Sequence, residues 1–293
     1  MIEFIQVLIY GVVVGAVYGL VGLGFVLVFK ITAAFNLAQG EMLMIMALIC
    51  WSLAEQLGLP FILAILLTIV ISVLLGYIIE RLLLRPMVGQ PMMSVIMMTL
   101  GLAVILKSIG MFGWGSHLYR YEPWLPTNQL TFGALSLSWE YLSALIIAVV
   151  LLVAFSVYFK KSKYALAMRA VGMNQTVAQA MGVRISSVNG RAWALAIVVA
   201  AIGGIILGTL SSVNYALAGI GLYVIPAIII GGLTSISGAI IGGLIVGITE
   251  KMAAMYLGTL LPGFPGVVPY ILALVILLIK PSGLWGEKHI ERI

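Results

Sequence analysis

Apolar and polar residues follow one another along this chain in long blocks. Six apolar blocks each hold about the 20 residues with which an α-helix crosses the hydrocarbon layer of a membrane. In lipid, every backbone polar group must be satisfied within its own segment, so such blocks form helices. We therefore predict an all-α, polytopic membrane helix bundle with a single transmembrane domain over 1–293. The six blocks are 4–29, 36–54, 61–79, 92–113, 141–159 and 191–210.

Glycine interrupts the apolar pattern in the last third of the chain. Two blocks, each too short to cross a membrane comfortably, flank the sequence GGLTSISG at 231–238. A broken or re-entrant pair near 220–250 and a set of three short spans both fit, and with a last block at 267–280 the total is about 8 transmembrane segments. The first three blocks, with a break at 30–40, loosely resemble the last three, with their break at 231–238. Transporters often contain such repeats, but glycine is common in all membrane helices.

Composition excludes a soluble protein. Only 8% of residues are charged and 63% are hydrophobic, which leaves too little charge to solvate a globular surface. The acid at Glu3 stands where a cleavable signal would be basic, so we predict that the first span is retained. The single cysteine, Cys50, excludes a disulfide framework within the chain. The net charge of +6 comes from basic residues at block ends, which indicates membrane topology and not nucleic-acid binding.

The distribution of basic residues predicts an orientation. The loop at about 160–190 is long and basic, whereas the loop at about 114–140 is rich in Trp and Tyr. Because basic loops stay in the cytoplasm, we predict an inner-membrane protein with its N-terminus outside, its C-terminus inside and the loop at 114–140 in the periplasm. Of 15 basic residues, 12 then lie inside: Lys30, Arg81, Arg85, Lys160, Lys161, Lys163, Arg169, Arg184, Arg191, Lys280, Lys288 and Arg292.

The sequence contains few residues that could carry out catalysis. There are two histidines, His117 and His289, and no aspartate, so neither a metal cluster nor a nucleophile–base pair can be drawn. The phosphate-binding pattern GxxxxGK[ST] does not occur. We predict a protein that is not an enzyme and binds no cofactor, so that any ATP and Mg²⁺ would be bound by a separate subunit.

Polar residues inside the apolar blocks are the candidates for a solute path. Asn36, Gln39, Gly40 and Glu41 fall together at the start of the second block, where a buried carboxylate normally faces protein or water. They predict a path or gate, and the alternative is that Glu41 pairs locally at the interface. Lys107 lies late in its block and is predicted to snorkel to the interface.

Two further regions allow more than one interpretation. The glycines Gly242, Gly243 and Gly247 are predicted to serve helix packing. Either packing or exposed pathway backbone is possible for Gly231, Gly232, Ser235, Ser237 and Gly238.

The loop at 160–190 can form a short amphipathic helix, which would bind the lipid surface or dock on a cytosolic partner. Its predicted apolar face contains Ala165, Met168, Val171 and Met181.

Four motifs, in order along the whole chain, resemble one family. They are GAVYGLVGLGFVLVFKITAAFNLAQGEMLM, MMTLGLAVIL, ALAMRAV with AQAMGV, and IIIGGLTSISGAIIGGLIVGITE. The set resembles the permeases of branched-chain amino-acid (Liv-type) ABC importers, which are type II importer permeases. The first motif is similar to the Asn-Phe-Ala-His-Gly-Glu sequence of that family. The chain departs from the family pattern at Leu37, Gln39 and Thr234, where Phe, His and Gly are frequent.

The resemblance implies a function and a set of partners. It implies the translocation path of an ATP-driven importer for branched-chain amino acids or similar small polar solutes such as urea, amides or other amino acids. It adds Thr99 to the path and assigns ATPase coupling to Arg169, Ala170, Ala178, Met181, Gly182 and Val183. The implied partners are a second homologous permease (as a hetero- or homodimer), two cytosolic ATP-binding subunits, a periplasmic solute-binding protein and the lipid bilayer. The alternative is a secondary transporter or channel that works without an ATPase, with Glu41 carrying coupling protons.

Overall fold

The computed structural model describes residues 2–32, 35–126, 128–132 and 135–286. Met1, Lys288, His289 and Arg292 lie outside these ranges, as does part of the break at 30–40. The described chain folds into a bundle of helices, and a β-hairpin of β1 (Gln129–Phe132) and β2 (Leu135–Ser138) lies in the connection before the fifth. The helices are α1 (Ile2–Thr32), α2 (Gln39–Trp51), α3 (Phe61–Ile79), α4 (Met92–Trp114), α5 (Trp139–Lys161), α6 (Lys163–Met173), α7 (Gln175–Ala180), α8 (Ile185–Leu210), α9 (Ile220–Gly231), α10 (Ile236–Leu257) and α11 (Val268–Ile279).

Six of the described helices are long and apolar enough to cross a membrane: α1, α3, α4, α5, α8 and α10. The prediction of a helical membrane protein is thus confirmed, whereas the total of about 8 segments stays a prediction. One expectation for the last third was wrong. The block after 231–238 was predicted to be of half length, but α10 has 22 residues and is long enough to span.

The bundle has two chemically different ends. The aromatic end, around residues 114–138, includes Trp124, whose indole donates to Thr209 Oγ1 (3.0 Å) near the end of α8. The basic end carries Lys30, Lys160 and the helices α6 and α7. Helices α1, α3, α5 and α11 run toward the basic end, and α4, α8 and α10 run away from it.

Small residues join the two central helices α1 and α10. Three glycines of α1, at positions 11, 15 and 19, recur every four residues and face the backbone of α10, where Gly243 lies against Gly19 and Gly247 against Gly15. A Cβ atom on Gly11 would lie 2.8 Å from Ile248 Cα, closer than real contacts allow. The predicted packing function of Gly243 and Gly247 is confirmed. This glycine seam lets the two helix backbones touch, as in small-xxx-small helix pairs.

Two half-length helices, α2 and α9, begin inside the bundle and not at its surface. The side chain of Gln39, the first residue of α2, donates to the carbonyl of Ala196 (3.0 Å), near the middle of the 26-residue α8. From there α2 runs to Trp51, whose indole donates to Arg120 O (3.0 Å) at the aromatic end. Helix α9 runs the opposite way, to Gly231 at the basic end.

The half-helices belong to an inverted arrangement of two four-helix sets, α1–α4 and α8–α11. Each helix of one set runs antiparallel to its counterpart in the other. The counterparts are α1 and α8, α2 and α9, α3 and α10, and α4 and α11. Helix α2 packs on α4 just as α9 packs on α11, and α1 packs on α10 just as α8 packs on α3. The sequence left this repeat open; the helix directions and contacts favour it, but with the second break at a different place. The counterpart of the re-entry before α2 lies at 211–219, because 231–238 forms the turn between α9 and α10.

The loop at the basic end forms two helices, α6 and α7, where the sequence predicted one. Ala165, Met168 and Val171 are buried against the ends of α1, α5 and α8, as their common spacing suggests. Met181 does not share this face, contrary to the prediction, because the chain turns after α7 and leaves that side chain 80% exposed.

Candidate translocation site

The chain enters the centre of the bundle through a short non-helical segment before α2. Asn36 is buried, and its amide donates to Gln39 Oε1 (2.9 Å) while its own Oδ1 accepts from the amide of Ala38 (3.2 Å). The hydroxyl of Thr99 on α4 donates to Phe35 O (3.1 Å) and accepts from the amide of Leu37 at 3.3 Å. These bonds satisfy backbone groups that would otherwise be unpaired at membrane depth.

The two half-helices meet at Gly40 and Gly221. A Cβ atom on Gly221 would lie 2.8 Å from both N and Cα of Gly40, and one on Gly40 would strike the carbonyl of Ala218. Only glycine permits this backbone contact. Helix α2 has no side-chain cap at Ala38, whereas α9 continues a 3-10 turn (Tyr215–Gly219) that Asn214 caps by accepting from the amide of Ala216 (2.7 Å). Both helical segments direct their N-terminal ends, with their partial positive charge, toward the same place.

A cavity of about 390 Å³ opens at this junction. Glu41, in the first turn of α2, and Lys107 of α4 both line it. Across the described chain, no ion pair within 4.0 Å joins the two groups. We refer to this space as the Glu41 cavity; its apolar lining includes Leu100, Ala103, Leu222 and Ile225.

This arrangement can recognise a small zwitterion. An ammonium group suits the carboxylate of Glu41, and a carboxylate suits Lys107 and the two helix N-termini. The apolar remainder of the lining suits an aliphatic side chain. The volume lies within the range of small-molecule pockets, and such pockets combine apolar walls with few polar groups.

The second group of predicted path residues lies elsewhere. Gly231 and Gly238 press backbone against backbone where α9 turns into α10, and Gly232 adopts a φ of 103° at that turn. Ser235 caps α10 by accepting from the amide of Gly238 (3.0 Å), and Ser237 lies beside it. The 12-residue α9 separates this turn from Gly219 by about 18 Å. The structure thus brings 36–41 and Thr99 together, but not with 231–238.

The predicted coupling residues all lie at the basic end. Ala178 lies on the buried face of α7, and its carbonyl accepts from the amide of Val183 at 3.0 Å. This bond closes a turn in which Gly182 takes a φ of 85°. Met181 projects outward, whereas Arg169 and Ala170 of α6 are partly buried. The outer surface of α7 therefore offers exposed apolar side chains, as docking surfaces do.

Sequence reasoning missed two parts of the Glu41 cavity. Lys107 lines the cavity, which sequence reasoning did not assign to it, and its reach to the interface stays a prediction. The segment Tyr215–Gly219 and the start of α9 were not considered, although the polar run at 211–214 before Gly219 and Gly221 was a usable signal of re-entry.

A multi-pass helical membrane protein whose polar cavity lies between two half-helices of inverted direction has the architecture of a solute permease. Residues 7–280 match the family described as "Branched-chain amino acid transport system / permease component", and the chain belongs to this family. It is similar to the high-affinity branched-chain amino acid transport system permease protein BraD of Pseudomonas aeruginosa, with 27% identity over 99% of this chain and 98% of that protein.

Other relatives and one solved structure also cover most of the chain. LivH of Escherichia coli, a protein of the same description, is 26% identical over 99% of this chain and 98% of its own length. A probable LivH permease of Methanocaldococcus jannaschii is 27% identical over 94% of this chain and 90% of its length. The structure of PsaBC from Streptococcus pneumoniae in complex with Fab covers 94% of both chains at 18% identity, with a TM-score of 0.48.

Proposed function

We propose that this chain is the permease subunit of an ATP-driven importer and that branched-chain amino acids, or small polar solutes of similar shape, cross the membrane through the Glu41 cavity. The observation that supports the proposal is the composition of this cavity: one acid, one base and two helix N-termini set in an apolar lining. Liv-type relatives over nearly the whole length, named for branched-chain amino acid transport, support the choice of solute.

The two ends of the bundle suit different partners. The basic end carries α7 with Val177 and Met181 exposed, and we assign it to the cytoplasm and to two ATP-binding subunits, which hold the ATP and Mg²⁺. The aromatic end faces the periplasm and a solute-binding protein. A second, homologous permease completes the path. Residues 231–238 lie at the cytoplasmic end of this path, and the chain itself binds no cofactor.

Uptake of radiolabelled leucine tests the proposal. Cells that express the chain with its partner subunits should take up leucine only while the ATPases are intact. Glu41→Gln should lower this uptake at least about tenfold at normal expression, because a charge-assisted contact to the ammonium group is lost. Glu122→Gln, which neutralises an exposed loop acid, is the matched control and should transport like the wild type.

Two outcomes would contradict the proposal in different ways. Wild-type uptake by the Glu41→Gln variant would remove the Glu41 cavity from the path. Uptake that persists without the ATPases, and that loses its proton dependence in the same variant, would identify a secondary transporter instead.

A further inference from the structure

A second cavity, of about 400 Å³, lies at the basic end between the ends of α1, α5, α6 and α10. Three cations from three different helices line it: Lys30, Lys160 and Arg169. Within the described ranges, no carboxylate lies within 4.0 Å of any of them. Like charges that converge without a counter-charge repel one another, so the arrangement is suited to an anion.

The hydrogen-bonding capacity of these cations is largely unused. Nε of Arg169 is buried and has no hydrogen-bond partner in the described part of the molecule. Lys30 Nζ reaches only the carbonyl of Thr234, at 3.4 Å. Buried polar groups are normally paired, so Arg169, which lines the cavity, is held there without an acceptor for this nitrogen.

Two serines in the lining of the cavity supply further donors. The hydroxyls of Ser235 and Ser237 lie 3.2 Å apart at the start of α10, and both line the cavity. They add neutral hydrogen-bond donors to the three cations. A phosphate oxyanion accepts several such bonds at once, from charged and neutral donors alike.

The position of the cavity indicates where its anion comes from. It lies where α1 and α5 end and α10 begins, which is the depth of lipid headgroups for spans of this length. Phe159 of α5 and Ile240 of α10 form an apolar part of the wall, and Trp285, 45% exposed, stands at the rim. A cavity lined by cationic and apolar side chains together, with a tryptophan among them, fits an amphiphile better than a free ion.

We propose that this cavity binds the phosphodiester headgroup of an anionic phospholipid, with the acyl chains alongside α5 and α10. An anionic headgroup is preferred over a zwitterionic one because the ammonium of the latter would meet three further cations. The bound lipid connects α6, through Arg169, to the ends of α1, α5 and α10. The site is separate from the Glu41 cavity, and through Ser235 and Ser237 it shares residues with the cytoplasmic end of the proposed path.

Native mass spectrometry of the full-length chain with phosphatidylglycerol tests the proposal. Lys160→Gln should weaken retention of phosphatidylglycerol about fivefold, and Lys160→Gln with Arg169→Gln about 25-fold, since each basic residue near a membrane surface contributes a factor of about five. The matched control is Lys161→Gln with Lys163→Gln, which removes two exposed charges from the same end outside the cavity and should retain the lipid.

Three results would overturn the assignment. Equal loss of lipid in the control pair would indicate a diffuse basic belt and no defined site. Equal retention of phosphatidylcholine by the wild type would exclude selection for anionic headgroups. Displacement of the lipid by millimolar inorganic phosphate would identify a site for soluble phosphate. Lys160 is exposed, so its single variant should fold even if the double variant does not.

Discussion

At the scale of single residues, the closest backbone contact at the Glu41 cavity depends on two glycines. Gly221 lies against Gly40, whereas Gly219, two residues earlier, has no heavy atom within 4 Å of the position where a Cβ would stand. The same added methyl group therefore meets backbone at one position and open space at the other. Side-chain size at this junction sets how closely the two half-helices approach.

Gly221→Ala should lower the free energy of unfolding by about 1–3 kcal/mol, because overpacking forces the two backbones apart. Gly219→Ala should be neutral or stabilising, since alanine restricts the unfolded chain. Thermal unfolding of both variants in the same detergent measures the difference. A Gly221→Ala variant as stable as Gly219→Ala would show that the half-helices are not in backbone contact.

At the scale of secondary-structure elements, α7 is the most exposed helix at the basic end and the element assigned to ATPase docking. Met181→Glu should weaken association with the ATP-binding subunit at least about tenfold in pull-downs, because it places a charge in an apolar contact. Met181 is 80% exposed, so folding should be unaffected, whereas Ala178 is buried and its substitution would confound the test. Leu118→Glu, at the aromatic end and 74% exposed, is the matched control. Unchanged association of the Met181→Glu variant would remove α7 from the docking surface.

Sequence alone located the long spans because a bilayer-length apolar run has one stable conformation. The prediction 61–79 coincides with α3, and 92–113 differs from α4 by one residue. The prediction from sequence was wrong where a glycine could serve either helix packing or a break in the helix. In α10 the glycines serve the seam with α1 and the helix continues, whereas Gly219 and Gly221 accompany a true re-entry.

The Glu41 cavity was only half predictable for a related reason. Glu41 was recognised because burying a carboxylate in an apolar block costs free energy, and such a residue is visible in the sequence alone. Lys107 has the same cost, but its side chain is long enough to reach either the interface or a cavity. The choice depends on the neighbouring start of α9, which is more than a hundred residues away in the chain.

At the scale of the whole molecule, the two ends of the bundle define an orientation in the membrane. In a Cys50→Ala background, Leu118→Cys should react with a membrane-impermeant maleimide in intact spheroplasts. Met181→Cys should react only after the membrane is opened, because positive charge holds the basic end in the cytoplasm. Both side chains are at least 74% exposed, so the side of the membrane on which each lies decides whether the reagent reaches it. The reverse labelling pattern would invert the assignment of both partners.

The opposed directions of α2 and α9 have a consequence for the energy supply of the cell. Their N-termini converge near the middle of the bundle, where they raise the local electrostatic potential. Sodium ions and protons that enter from either side meet a barrier at this level, as in pores that exclude cations with half-helix dipoles. We expect the permease to move its solute without short-circuiting the ion gradients across the membrane.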